Sequence, residues 1–190
     1  MVGDPVDPAA GFTVVGEDEV WRGHIVRLCH LELTDPDGEP FGRDVVRHPG
    51  AVAVVPMDDD GTVTLVRQYR AAFDASVLEI PAGTCDVEGE PPEETARREL
   101  IEEAGLEAEV VERLAVTYNS PGYCDQVTTI FLATGVHPCP TGRTGIEEQR
   151  MTVERVDVRR AGALVAEGRV VDETTALGLL LARDAFEQRS

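Results

Sequence analysis

The chain has 190 residues, 42% of them hydrophobic and 28% charged, with 36 acidic residues against 17 basic ones and a formal net charge of −19. That length suits one domain with at most a small appended element, and the composition excludes a disordered or fibrous chain. The acidic field repels nucleic acid and anionic membrane surfaces, and because every one of the 17 basic residues is arginine, a Schiff-base lysine and the lysine of a phosphate-binding P-loop are excluded too.

Residues 1 to 10 are acidic and Pro-containing and read as a loose tail, unlike a basic-then-apolar leader. No apolar run approaches the roughly 20 residues that cross a bilayer, so a soluble, cytoplasmic protein is expected. Cys29, Cys85, Cys124 and Cys139 lack any C-x-x-C spacing and read as reduced, apolar side chains. Between residues 11 and 47, β-favouring pieces at Phe12 to Val15 and Trp21 to Leu33 are broken by turn residues, most clearly Asp35-Pro-Asp-Gly38, which predicts a β-meander. Ala51 to Val55 and Thr62 to Val66 flank Asp58-Asp-Asp-Gly61 and predict a hairpin, followed by a short strand at Leu78 to Ile80.

After Pro81 the apolar period becomes helical. Pro91 and Pro92 suit a first helical turn, Glu93 and Glu94 complement the helix dipole, and Gly105 suits a left-handed cap, so a helix is predicted from about Pro92 to Ala104. Strands are expected at Ala108 to Ala115, Val127 to Ala133 and Met151 to Val158, with a polar loop at Cys139 to Glu148. Two helices, Val158 to Glu167 and Asp172 to Gln188, close the chain, the second with a stripe of Leu177, Leu179, Leu180 and Leu181. Strands around one central helix, then terminal helices, argue for an α+β sandwich of helices on a mixed sheet.

The central helix carries Glu99, Glu102 and Glu103 at i, i+3 and i+4, which share one face of an α-helix. Stacked carboxylates repel one another unless a cation lies between them, and an all-oxygen donor set suits Mg²⁺ or Mn²⁺ better than zinc. The competing explanation is a solvated acidic face.

Gly83 to Leu106 resembles the Nudix box. Gly83, Glu90, Arg98, Glu99, Leu100, Glu102, Glu103, Gly105 and Leu106 fill its fixed positions, with six residues instead of five between Gly83 and Glu90. Flanking segments at 48–55, 66–70, 78–83 and 120–125 resemble the ADP-ribose pyrophosphatase branch, and Pro121 lies near that branch's marker proline. Gln126 stands where the branch usually carries an acidic residue.

The resemblance implies a Nudix-type α/β/α sandwich over 48–190, preceded by an antiparallel meander over 11–47 that serves as a dimerisation element. It further implies Mg²⁺-dependent hydrolysis of ADP-ribose to AMP and ribose 5-phosphate by a homodimer, with Mn²⁺ as the alternative ion. Glu99 and Glu103, with the backbone oxygen of Ala82, would hold the ion, and Glu102 would share in that shell. Arg98 would orient the carboxylates, Glu90 would support them from the loop, and Glu147, or Glu148 beside it, would be the catalytic base.

Arg70 is the best candidate for a bidentate phosphate contact, its rival role being an ion pair at a strand end. Trp21 would stack on adenine or serve the core, and Arg47 and Arg43 are weaker substrate candidates. His24, His30, His48 and His137 have no ligand spacing and receive no role. Two other outcomes stay open: a pyrophosphatase for another nucleoside diphosphate sugar, and a Nudix-fold sensor that binds without hydrolysis.

Overall fold

A computed structural model describes residues 10–143, 145–146 and 148–189, with residue 148 described by its backbone alone. The chain divides into two units, one formed by residues up to 49 with 118–126, the other by 50–117 with residues from 127 on.

The first unit is a three-stranded antiparallel meander of β1 (Thr13–Arg22), β2 (Arg27–Thr34) and β3 (Pro40–Arg47). The predicted strand Trp21 to Leu33 is in fact interrupted, because the Gly23 N–H donates to the Val26 carbonyl (2.8 Å) and closes a turn there. Asp35-Pro-Asp-Gly38 forms the second turn, with the Asp35 carboxylate accepting from the N–H groups of Asp37 and Glu39. Phe12, Val14, Val15, Val20 and Trp21 are exposed, so β1 keeps an apolar surface that its own unit leaves uncovered. Segment 118–126 attaches to the end of β3 through Val46 N–H to Tyr123 O (2.7 Å) and Asp125 N–H to Val46 O (3.1 Å).

The second unit is built on β4 (Ala51–Pro56), which is buried along almost its whole length. It pairs antiparallel with β7 (Ala82–Thr84) and parallel with β9 (Val127–Pro138), and β8 (Leu106–Tyr118) completes a mixed sheet in the order β7-β4-β9-β8. A second sheet, β10-β5-β6, joins β5 (Thr62–Arg70) to β6 (Ala75–Glu79) and β10 (Thr152–Asp157). The hairpin predicted around Asp58-Asp-Asp-Gly61 therefore does not form as a ladder. The tight turn is present, with Gly61 at φ +84°, but only one bridge, Met57 to Val63, links its arms. Both edges of β4 are occupied by β7 and β9, so β5 must pair elsewhere and the turn becomes a corner between sheets.

Alternation along β4 builds the sandwich. Val52 and Val54 pack with Ala96 and Leu100 of the central helix and with Phe131, whereas Ala53 and Val55 pack with Leu65, Ile80, Ile130 and Leu179 on the opposite face. The central helix begins as α1 (Pro92–Glu99), with Pro92 at its first position, and continues as a π-helical turn (Leu100–Ala104) ended by Gly105 at φ 65°. After a 3₁₀ turn at Val158–Arg160 come α2 (Ala161–Ala166) and α3 (Glu173–Arg189). The layers are thus the expected α/β/α arrangement, built on one mixed and one antiparallel sheet.

The buried stripe of α3 is Thr175, Gly178, Leu179 and Ala182, a tighter set than the leucine stripe predicted; Leu177, Leu180 and Leu181 are only half-buried. Gly178 lets the helix approach closely, since a Cβ there would meet Ile80 Cδ1 at 2.9 Å and Val55 Cγ2 at 3.1 Å. Gly178→Ala is expected to destabilise the fold by about 1–3 kcal/mol, read as a lower midpoint in urea unfolding; an unchanged midpoint would refute the close approach. All four thiols are free. Among the described residues no helix is long and apolar enough to cross a membrane.

Candidate active site

The central helix starts beside the loop that carries Glu90. The Thr95 hydroxyl donates to Glu90 Oε2 (2.7 Å), and Arg98 Nη2 donates to the same oxygen (3.3 Å). These two donors hold the Glu90 carboxyl below the usual range. The extra residue between Gly83 and Glu90 is taken up in an exposed turn in which the Glu90 N–H donates to Val87 O (3.2 Å) and Gly89 lies at φ +78°.

Glu99 and Glu103 are buried and Glu102 is partly exposed. The run passes from α-helical into π-helical geometry at Leu100, so the simple i, i+3, i+4 face expected of an uninterrupted α-helix does not describe it. The Glu99 carboxylate occupies the space beside β7 that Gly83 leaves open: a Cβ on Gly83 would lie 2.0 Å from Glu99 Cδ and 2.1 Å from Oε1. Glu103 Oε2 accepts the Ala82 N–H (2.9 Å). The Ala82 carbonyl oxygen, which the resemblance names as an ion ligand, is a separate atom from the amide in this contact. Burial, with the nearby Glu99 and Glu79 charges, outweighs this bond and the Arg70 cation and pushes the Glu103 carboxyl up to about 8.

Arg98 lies among these groups. Its Nη1 donates to Glu99 Oε1 (2.7 Å) and Glu102 Oε2 (3.4 Å), while its buried Nε has no hydrogen-bond partner among the described residues. No three His, Cys, Asp or Glu side chains among the described residues are gathered closely enough to hold an ion as they stand. The donor set nevertheless fits an oxygen-seeking divalent cation. It offers three glutamates, two of them buried, one of which is neutral at pH 7 unless positive charge reaches it.

Arg70 is bound to Glu79 through Nε to Oε1 (2.9 Å) and Nη2 to Oε2 (2.5 Å), and Gln68 Nε2 adds a third donor to that buried carboxylate (3.1 Å). The rival role foreseen for Arg70, an ion pair at a strand end, is therefore present. Arg70 and Glu79 also line an open cleft of about 760 Å³ with Phe73, Val77, Val171 and Asp172.

Trp21, Arg47 and Pro121 belong to the first unit. Trp21 is 57% exposed, so it is not a core residue of this chain. The Arg47 fork is engaged with Glu17 (3.0 and 2.5 Å) and with Asp125 (3.1 Å), so a phosphate there would have to compete with two carboxylates. Arg43 lies over the Phe41 ring at 4.9 Å. Pro121 sits in a turn closed by the Tyr123 and Cys124 N–H groups on Ser120 O. Glu147 lies outside the described residues, and the backbone of Glu148 opens a 3₁₀ turn ending at Arg150.

Sequence reasoning missed two residues. Glu79 is a carboxylate between Leu78 and Ile80 in a buried strand, which is a readable signal. Arg143, which donates to the Glu103 and Met151 carbonyls, has nothing in the sequence that separates it from sixteen other arginines.

A family model described as the NUDIX domain matches residues 47–169. The chain is 36% identical over 169 residues to the ADP-ribose pyrophosphatase of Mycobacterium tuberculosis, covering 89% of this chain and 82% of that protein. It is 33% identical over 165 residues to the ADP-ribose pyrophosphatase of Bacillus subtilis, covering 87% and 89%. A solved structure described as an ADP compounds hydrolase shares the fold, with a TM-score of 0.81 at 22% identity over 94% of this chain and 96% of the other.

Proposed function

Because the chain belongs to the Nudix family, we propose that it is a divalent-cation-dependent pyrophosphatase that hydrolyses ADP-ribose to AMP and ribose 5-phosphate. The observation that carries this reading is the pair of buried glutamates, Glu99 in the Gly83 recess and Glu103 on the Ala82 amide, at the end of the helix that contains the family motif. Glu99, Glu102 and Glu103 would hold Mg²⁺. When bound, the ion supplies charge neutralisation on the pyrophosphate and lowers the pKa of water.

The chain's own residues do the remainder. Arg98, held by Glu90, Glu99 and Glu102, fixes the direction of two carboxylates. Glu147 in the polar loop accepts the proton of the attacking water, with Glu148 as its neighbour and substitute. The water oxygen forms a new P–O bond as the bridging P–O bond breaks, and the proton leaves on the glutamate, so one ADP-ribose and one water give AMP and ribose 5-phosphate. Arg70 supplies a cationic edge for the phosphates.

Exposed Phe12, Val14, Val15, Val20 and Trp21 support a homodimer in which β1 is covered by the partner. A monomer in gel filtration at micromolar concentration would count against it. The acidic charge supports a cytoplasmic protein that binds neither nucleic acid nor membranes.

A second reading keeps the chemistry and changes the sugar. Gln126 and the extra residue before Glu90 favour it, together with the use of Asp125 to hold Arg47 and the His48 N–H. A panel of ADP-ribose, ADP-glucose and GDP-mannose with Mg²⁺ and with Mn²⁺ separates the two. The expected result is a kcat/KM for ADP-ribose at least about tenfold above the others, a difference of about 1.4 kcal/mol in transition-state binding. Equal values would overturn the substrate, and tight binding without AMP release would overturn hydrolysis itself.

A further inference from the structure

Alternate residues of a strand share a face, so Val66, Gln68 and Arg70 stand on one side of β5, and antiparallel pairing sets Glu79 of β6 opposite Val66 on that same side. Gln68 is thus a diagonal neighbour of Glu79, and Arg70, one step further along, reaches back to it. Glu79 and Gln68 are buried, whereas the Arg70 side chain is 44% exposed and lines the cleft.

The contact has a direction. Arg70 meets the carboxylate side-on, through Nε (2.9 Å) and Nη2 (2.5 Å), and Gln68 Nε2 holds the same Oε2 from its other side at 3.1 Å. A guanidinium carries five N–H donors in one plane, and a side-on pair takes two of them. The outer edge, made by Nη1 and the second N–H of Nη2, has no hydrogen-bond partner among the described residues. That edge has the shape to take two phosphate oxygens. Glu103 lies within electrostatic reach of Arg70, so the guanidinium stands near the carboxylate site.

Stability alone does not call for this arrangement. A buried ion pair loses much of its attraction to desolvation, and apolar side chains of similar volume would serve the packing as well. Leu78 and Ile80, on either side of Glu79, do fill the core. A carboxylate held by three donors and a half-exposed guanidinium with an open outer edge suit a preorganised anion contact, because a side chain already fixed loses little freedom when its ligand arrives.

We propose that Glu79, braced by Gln68, is a positioning residue that clamps Arg70 side-on and so presents the outer edge of its guanidinium to the pyrophosphate of the substrate. This rests on the reading of Arg70 as a phosphate contact. In Glu79→Gln an NH₂ group replaces one acceptor oxygen and faces a guanidinium donor, so Arg70 turns away.

The test compares Glu79→Gln, Gln68→Met, Arg70→Ala and the double variant Glu79→Gln/Arg70→Ala with the wild-type chain. It reads kcat and KM for ADP-ribose at saturating Mg²⁺, Mn²⁺ affinity without substrate, and Tm. Glu79→Gln should raise KM about 10- to 100-fold with kcat within about threefold, since a charged hydrogen bond made equally in the ground and transition states acts on binding. Gln68→Met should raise KM about three- to tenfold, and the double variant should be no worse than Arg70→Ala. If Glu79→Gln does not fold, Gln68→Met, alone and combined with Arg70→Ala, carries the same comparison.

A wild-type KM in Arg70→Ala removes the phosphate contact and the proposal with it. A raised KM there beside a wild-type KM in Glu79→Gln removes only the role of Glu79. Additive losses in the double variant, or a Mn²⁺ affinity that falls in step with the rise in KM, would mean that Glu79 acts otherwise than through Arg70, and either would overturn the proposal.

Discussion

Glu103→Gln is expected to lower kcat by about a thousandfold with Mg²⁺ present, while leaving the metal-free fold no less stable. Removing a carboxylate from a catalytic cation's shell forfeits several kcal/mol of charge stabilisation, and each 1.36 kcal/mol is tenfold in rate. The amide is nearly isosteric, and its oxygen can still accept the Ala82 N–H that now meets Oε2 at 2.9 Å.

The pH dependence separates charge from shape. Burial raises the folded-state pKa of Glu103 to about 8 from an ordinary 4.5, so the folded chain holds a proton that the unfolded chain gives up. Below about pH 4.5 both states are protonated and the side chain carries no penalty. From there through about pH 8, wild-type stability without metal falls by a few kcal/mol relative to Glu103→Gln, and above pH 8 the difference is constant.

Urea unfolding at pH 5 and pH 9 in EDTA measures that divergence, and Mg²⁺ should reduce it in the wild type alone. Parallel pH profiles for the two proteins would refute the buried ionisable group. Wild-type turnover in the variant would refute the metal role.

That behaviour follows from structure which the sequence shows only in part. The helix was legible because Pro92, Glu93, Glu94 and Gly105 are local signals, and local signals fix local geometry. The two-sided burial of β4 was legible in its continuous apolar run. The partners of β4 were not, because pairing with β7 and β9 is decided by chain segments far along the sequence, and that pairing turned the predicted hairpin into a corner.

In the site, the glutamates announce themselves by spacing, but their unequal burial does not. It arises where the helix widens into a π-turn at Leu100 and where Gly83 withholds a side chain. Arg70 and Arg47 illustrate the same limit. A guanidinium looks equally fit for phosphate or carboxylate until the fold brings Glu79 to the one and Glu17 and Asp125 to the other.

Gly83→Ala should have the second-largest effect, and it isolates the role of the recess. The added Cβ would fall 2.0 Å from Glu99 Cδ and 2.5 Å from Cγ, contacts that no relaxation of a few tenths of an ångström can relieve. Gly83 also sits in β7, paired with Val52 of the buried strand β4, so its backbone is not free to retreat.

The Glu99 carboxylate must therefore leave, breaking its 2.7 Å bond to Arg98 Nη1 and exposing a displaced charge to the helix end. Overpacking of this kind costs about 1–3 kcal/mol of stability, and loss of one oriented carboxylate should lower kcat at least about a hundredfold. The double variant Gly83→Ala/Glu99→Ala tells the two effects apart, since removing the side chain that clashes should restore the urea midpoint without restoring turnover. Additive stability losses in the double variant would mean that Gly83 and Glu99 act independently, and the recess would then lose its place in the site.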